Sequence, residues 1–319
     1  MFFDTPEFEV LMLGPSNVGK TSLLATMNHE LARASRLGFR LHPTDDEGGD
    51  LALVKSFNAL AEVVRLKDYS QVPGLLRGDM TFSKYRFELL REGNVKCNLV
   101  FWDCRGGTVY DSGAEGAELK QRIADAHIIF NVVDATVLME GDEFLSDEYN
   151  GHTRIANLLQ DLDGDQGRLV VFVLTKCERW WKRGKNPSAS REGRKLIRRF
   201  EDRHLAVLNV IEEGNFLGML MPVATLGCVE FSRVELDAEG KQRFVFVKKP
   251  RADFCPWDVD QPLRCAMAFA LAEAKRGNGF VRRLWEVVFG DGGFGEALTR
   301  FTKGVRPARR YGDESLLEL

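Results

Sequence analysis

The residues with the most definite chemistry stand at positions 14–21, which read G-P-S-N-V-G-K-T and match the pattern G-x-x-x-x-G-K-[ST]. Holding a chain of phosphates takes a tight turn whose backbone N–H groups point inward, an ammonium over the outer phosphates and a hydroxyl on Mg²⁺. Gly14 and Gly19 permit the turn, Lys20 supplies the ammonium and Thr21 the hydroxyl. The expected phosphate-binding set of this P-loop is Gly14, Ser16, Asn17, Val18, Gly19, Lys20, Thr21 and Ser22. A second group is Asp103-Cys104-Arg105-Gly106, a D-x-x-G pattern. Its carboxylate is suited to hold Mg²⁺ through water, and the Gly106 N–H to meet an outer phosphate. A third is Thr175-Lys176-Cys177-Glu178, at the end of an apolar run.

These groups need elements that bring them together. Residues 8–13 form an apolar run that predicts a buried strand, and 21–34 carry Leu23, Leu24, Met27 and Leu31 at helical spacing. A loop between strand and helix places phosphates at a helix N-terminus, where unpaired N–H groups and the macrodipole favour anions. Residues 51–66 predict an amphipathic helix, with Leu53, Phe57, Leu60, Ala61 and Val64 on one stripe. Residues 81–89 alternate apolar and polar, and the turn at 92–94 returns the chain into the more apolar 95–102. This predicts an antiparallel hairpin that leaves Asp103 at the end of a buried strand.

Further along, 115–126 reads as a helix and 127–133 as a buried strand, with Asp134 as a turn or helix-capping residue. The acidic 140–149 reads as a solvated loop, 155–162 as a helix and 169–174 as the strand that delivers Thr175 to Glu178. Between 179 and 199 stand nine Lys or Arg and one Glu, read as a solvated loop leading into a basic helix. The last core strand, 219–224, is followed by Thr225 and Leu226. Residues 231–247 read as two strands about Gly240, 263–275 as a helix, 281–289 as an apolar segment anchored by Trp285, and 306–319 as a peripheral or mobile tail.

With 319 residues and 44% hydrophobic content, the chain has the composition of a soluble globular protein. A net charge of −3 argues against a generally basic nucleic-acid binder, so no specific nucleic-acid partner is expected. Six cysteines form no C-x-x-C pair and sit mostly in apolar runs, which predicts reduced thiols and a cytoplasmic location. No signal peptide is visible, and no uncharged apolar run approaches the ~18 residues of a transmembrane segment. The five histidines are scattered, and no Cys/His cluster predicts a transition-metal site.

A P-loop, then D-x-x-G after a hairpin, then an apolar strand ending in [NT]-K-x-[DE], resembles the motif order of Ras-like and translation-factor-class (TRAFAC-class) GTPases. The layout is similar to divergent bacterial double-GTPase-like domains and covers most of residues 6–290. The resemblance implies a three-layer α/β P-loop NTPase sandwich, a mostly parallel sheet with one antiparallel strand. In that layout residues 1–290 are the nucleotide-binding domain, with a helical insertion at about 50–68 and a hairpin insertion at about 229–248. Residues 291–319 are then a C-terminal extension.

The resemblance also implies Mg²⁺ and GTP or GDP as ligands, with Thr21, Asp103 and Thr81 toward the metal and Thr44 as the alternative to Thr81. The Lys176 stem would stack on the base, Glu178 would accept from guanine N1 and N2, and a backbone N–H at Thr225 or Leu226 would reach guanine O6. Two positions depart from the family: Glu178 stands where most members have Asp, and Thr175 where Asn is commoner. A third is Gly107, in the place of the glutamine that orients the attacking water in Ras-like members. Slow hydrolysis is therefore expected, with Lys20, Asn17 and Thr81 as the catalytic candidates. Help would come from an arginine, of a protein partner or of this chain (Arg77 or Arg105), or from K⁺, since potassium-stimulated GTPases carry an asparagine where Asn17 stands. The expected function is a slow GTPase switch with a protein effector or activating partner. The alternatives are a nucleotide-bound scaffold that never turns over and an ATP-using P-loop enzyme.

Overall fold

The computed structural model describes residues 5–33, 38–44, 49–72, 83–104, 106–111, 113–162, 167–184, 186–238, 240, 242–276, 290 and 292–317. Thr81, Arg77, Arg105 and the segment 281–289 lie outside them. The strands in chain order are β1 (Glu7–Leu13), β2 (Arg40–Pro43), β3 (Ser83–Arg91), β4 (Asn94–Asp103), β5 (Ile128–Asp134), β6 (Arg168–Thr175), β7 (Phe216–Pro222), β8 (Val229–Leu236), β9 (Gln242–Lys248) and β10 (Arg309–Gly312). Eight of them make one sheet in the order β10-β7-β6-β5-β1-β4-β3-β2. Strands β4, β1, β5, β6 and β7 run parallel, whereas β3 is antiparallel to β4 and β10 antiparallel to β7.

The continuous apolar runs explain this arrangement, because a parallel strand in the middle of a sheet is covered on both faces. In β1, Phe8, Val10 and Met12 enter one core and Leu11 and Leu13 the other. The first core is covered by α1 (Lys20–Arg33), α2 (Gly49–Ala61) and, further along the chain, the helices Gln261–Lys275 and Gly292–Thr302. The second is covered by α3 (Ala114–Asp125), α4 (Ala135–Glu140), α6 (His152–Gln160), α7 (Arg191–Arg203) and α8 (Leu205–Glu213), with α5 (Glu143–Asn150) beside α4. The result is a three-layer α/β sandwich built on a mostly parallel sheet.

Parallel register brings the carboxyl ends of the central strands together. Met12 lies opposite Asp103, Leu13 opposite Asn131, Asp134 opposite Thr175 and Leu174 opposite Pro222. The turns that follow these residues therefore share one edge of the sheet, where open α/β sheets bind ligands.

Two segments differ from their sequence reading. The acidic stretch 140–149 contains the helix α5, whose N-cap Asp142 accepts from the Leu145 N–H at 2.8 Å and which buries Ser146 and Asn150. The tail forms β10, and Leu316 behind it is buried. Strand pairing here runs through the backbone, with Ala308 N–H donating to the Leu220 carbonyl at 2.8 Å, so mixed side-chain charge conceals it. The basic helix α7 follows expectation: Arg191, Arg194, Lys195 and Arg198 are exposed, and Leu196, Ile197 and Phe200 are buried.

Strands β8 and β9 form a separate hairpin. Residues 69–72 run beside β9, with a bridge between Gln71 and Val247 and the Val72 N–H donating to the Phe246 carbonyl at 2.8 Å. The foot of this hairpin, Cys228 and Val229, shares a small apolar cluster with Val63. Among the described residues no helix is long and apolar enough to cross a membrane.

Candidate functional site

The loop between β1 and α1 holds its shape through left-handed backbone at three positions, Gly14 (φ 140°), Asn17 (φ 67°) and Gly19 (φ 104°). A Cβ on Gly14 would lie 2.6 Å from the Val132 carbonyl oxygen, so β5 presses directly against the turn. Lys20, at the start of α1, is 8% exposed. Its Nζ donates to the carbonyls of Gly14 (2.7 Å) and Pro15 (3.2 Å) and lies 3.8 Å from Asp103 Oδ1. Burial pulls the Lys20 pKa below the ordinary lysine value, and Asp103 pulls in the opposite direction.

One residue on, Thr21 Oγ1 donates to Asp103 Oδ2 at 3.2 Å. A hydroxyl from the start of α1 and a carboxylate from the end of β4 thus meet, and two hard oxygen donors suit Mg²⁺, which keeps several waters and takes few protein ligands. Gly106 lies against the loop so closely that a Cβ there would fall 1.8 Å from Ser16 N, a position only glycine occupies. Among the described residues no group of three or more His, Cys, Asp or Glu forms another metal cluster.

The neighbouring strand end is tied to the same loop. Thr175 is buried, and its Oγ1 donates to the Val18 carbonyl, with the Val133 carbonyl at 3.3 Å. Lys176, with φ 53°, sends its Nζ to the Asn17 carbonyl at 2.6 Å and pairs with the Asp134 carboxylate. Asp134 also caps α4, its Oδ1 accepting from the N–H groups of Thr136 (2.8 Å) and Val137 (3.3 Å). The capping role expected of Asp134 is present, and its second role as the lysine's counter-charge is an addition that no local pattern signals.

Glu178 is 5% exposed. Burial raises its pKa, while its own N–H, the Lys249 charge and the N–H groups of Gly227 and Leu226 pull it down. The turn that holds it is itself clamped. Ala224 and Trp257 exchange backbone hydrogen bonds of 3.1 and 3.0 Å, and Cys255 N–H donates to the Leu226 carbonyl at 3.1 Å. A Cβ on Gly227 (φ 70°) would meet the Cys255 carbonyl oxygen at 2.0 Å. Thr225, in the same turn, accepts at its carbonyl from Thr26 Oγ1 at 3.3 Å.

The structure therefore gathers Lys20, Thr21, Asp103 and Gly106 around one loop, ties Thr175 and Lys176 to it, and sets Glu178 against Leu226. Ser16 and Asn17 are exposed at the mouth of the loop, Val18 is buried behind it, and Ser22 is half-buried in the first turn of α1. Thr44 stands apart, its N–H (2.9 Å) and Oγ1 (3.4 Å) both donating to the Arg86 carbonyl at the edge of the sheet.

No protein-family model matches the sequence, and no curated protein matches it. Among solved structures the chain is similar to a signal recognition particle receptor SRb-GTP/SRX complex from Chaetomium thermophilum, with 15% identity and a TM-score of 0.39 over 71% of this chain and 93% of that one. It is also similar to the GTPase-like domain of S. cerevisiae Ski7 bound to GTP, with 14% identity and a TM-score of 0.34 over 69% of this chain and 43% of that one. Likeness at this level carries no argument about activity or partners.

Proposed function

We propose that the chain binds a guanine nucleotide with Mg²⁺ at the carboxyl edge of its sheet and acts as a slow GTPase switch. The observation that carries this reading is the convergence of two lysines and a metal-suited oxygen pair on one loop: Lys20 on the carbonyls of Gly14 and Pro15, Lys176 on that of Asn17, and Thr21 on Asp103. Lys20 has only to leave the loop carbonyls to meet an outer phosphate. Thr21 and Asp103 would hold Mg²⁺, which when bound supplies charge neutralisation across the phosphates. Lys176 would lend its stem to one face of the base and Glu178 its carboxylate to the base edge, with the Thr225 and Leu226 turn alongside.

Hydrolysis is the slow part of this proposal. Gly107, directly after the glycine that touches the loop, has no side chain with which to orient water. That gap favours a second reading, a nucleotide-bound scaffold without turnover. Acceleration would come from a partner's arginine or from K⁺ held with the exposed Asn17 amide.

The test is nucleotide binding and phosphate release by the purified chain, with GTP, GDP and ATP, with and without Mg²⁺, in K⁺ and in Na⁺ at equal ionic strength. The expected result is Mg²⁺-dependent GTP binding, little ATP binding and slow phosphate release; a K⁺ stimulation that Asn17→Ala abolishes selects the cation route, and no stimulation selects an activating partner. GTP binding without any phosphate release selects the scaffold, and preference for ATP overturns the guanine assignment.

A further inference from the structure

The hairpin β8–β9 stands apart from the eight-stranded sheet, and one of its side chains faces the site. The Phe246 ring lies 5.7 Å from Lys176 Nζ, whose amine is anchored to the phosphate loop through Asn17. The loop that follows Lys176 then runs along the same face of the hairpin: Arg179 lies 5.4 Å from the Phe231 ring, and Trp180 stacks on Phe231 at 6.1 Å. Phe231 is the cross-strand partner of Phe246, their rings 6.2 Å apart.

Phe246 is also held in place from behind. Its carbonyl accepts from Val72, and the next pairings, Lys248 N–H to the Ser70 carbonyl (3.0 Å) and Tyr69 N–H to the Lys248 carbonyl (2.9 Å), fix the strand just beyond it. Lys248 itself is buried and pairs with Asp68 at 3.3 Å. The outcome is a half-buried aromatic ring on a pinned strand, beside a half-buried lysine stem. A flat, apolar face next to an alkyl chain and a cation suits a planar π-system, because bases stack on aromatic rings whatever their edge chemistry.

We infer that Phe246 covers the purine base, which packs in the angle between its ring and the Lys176 stem, so that the hairpin forms a wall of the base pocket. This inference rests on the proposed binding of a purine nucleotide at Lys176. Phe246 would raise affinity for purine nucleotides in general and leave the choice between guanine and adenine to Glu178.

The test compares GTP with tripolyphosphate, a ligand that has the phosphates and no base, by competition binding to the wild type and to Phe246→Ala, Phe246→Leu and Phe246→Tyr. The expected result is that Phe246→Ala and Phe246→Leu weaken GTP by roughly 5- to 150-fold, the range for loss of base stacking. Tripolyphosphate should hold within about twofold by the same criterion, and Phe246→Tyr should keep GTP affinity. The leucine variant retains apolar packing and carries the test if the alanine variant fails to fold. Unchanged GTP affinity in the leucine variant overturns the inference while leaving nucleotide binding intact, and an equal loss of both ligands overturns it in favour of a purely structural ring. A wild type that binds tripolyphosphate as tightly as GTP removes the base site itself, and the inference with it.

Discussion

Lys176 Nζ lies 2.6 Å from the main-chain oxygen of Asn17, so a charge-assisted hydrogen bond joins the turn after β6 to the loop beside the one from Thr175 to Val18. The same amine neutralises Asp134, which is 6% exposed. Lys176→Met keeps the stem and deletes the charge. It is expected to weaken GTP at least tenfold, from a hydrogen bond worth about 1.5–3 kcal/mol, and to lower the melting temperature because Asp134 is left without its cation. Calorimetry on the free and nucleotide-bound protein checks both, and unchanged values would remove the bond from any account of binding.

Lys20 tests the proposed phosphate contact alone. Lys20→Ala should abolish nucleotide binding, since in the proposed site its ammonium is the group that meets the outer phosphates. Normal GTP affinity in a folded Lys20→Ala protein would refute the phosphate assignment.

Glu178 tests the proposed base contact. Glu178→Ala should lose about 1.5–3 kcal/mol of GTP binding and discriminate no longer between GTP and ATP. Because burial raises its pKa, the carboxylate becomes protonated at a higher pH than an ordinary glutamate. GTP affinity should therefore decline on acidification from above the usual carboxylate range, whereas tripolyphosphate affinity does not follow it. A GTP/ATP ratio unaltered by the substitution would leave Glu178 as the brace of the Leu226–Gly227 turn and nothing more.

His204 sets an acid limit on the fold. Its ring is fully buried, stacks on Phe200 at 4.3 Å and lies 5.0 Å from His152; burial lowers its pKa to about 3. The facing groups are Asp147, 3.4 Å from His152, together with Glu143 and Arg203. The unfolded state takes up a proton near pH 6.5 and the folded state only near 3. Stability is thus fully present above about pH 6.5 and falls as pH drops through that window, by up to about 5 kcal/mol. His204→Phe should move the acid-unfolding midpoint, followed by circular dichroism, to lower pH, and an unmoved midpoint would assign acid unfolding to other groups.

The shape of the loop was legible from sequence because it is local. Gly14, Gly19, Lys20 and Thr21 lie within one turn, and apolar runs that end at Asp103 and Thr175 place those residues at strand ends whatever the order of strands. What stayed hidden depends on contacts between distant residues. Nothing near Asp134 announces Lys176, and nothing in 69–72 announces that it lies along β9. The acid-rich 140–149 reads as solvent-facing because composition does not register the cap at Asp142 or the burial of Asn150, whose Oδ1 accepts from the Asp134 N–H at 2.8 Å. Thr225 and Leu226 were placed by the strand before them, whereas the clamp from Cys255 and Trp257 required the fold.

The two oxygens of Asp134 have separate duties, Oδ1 at the start of α4 and Oδ2 at Lys176. A carboxylate is rigid, so a tilt of the helix turns the anchor of the lysine with it. If a nucleotide binds as proposed, the buried helix α4 would couple its residence time to the neighbouring α5, whose Phe144 is exposed, so that a partner seated on Phe144 would hasten or delay release without touching the ligand. The same lever works in reverse. Hydrogen exchange at the Thr136 and Val137 amides, the two donors to Oδ1, should slow when nucleotide is bound, and equal exchange in both states would disconnect the handle from the site.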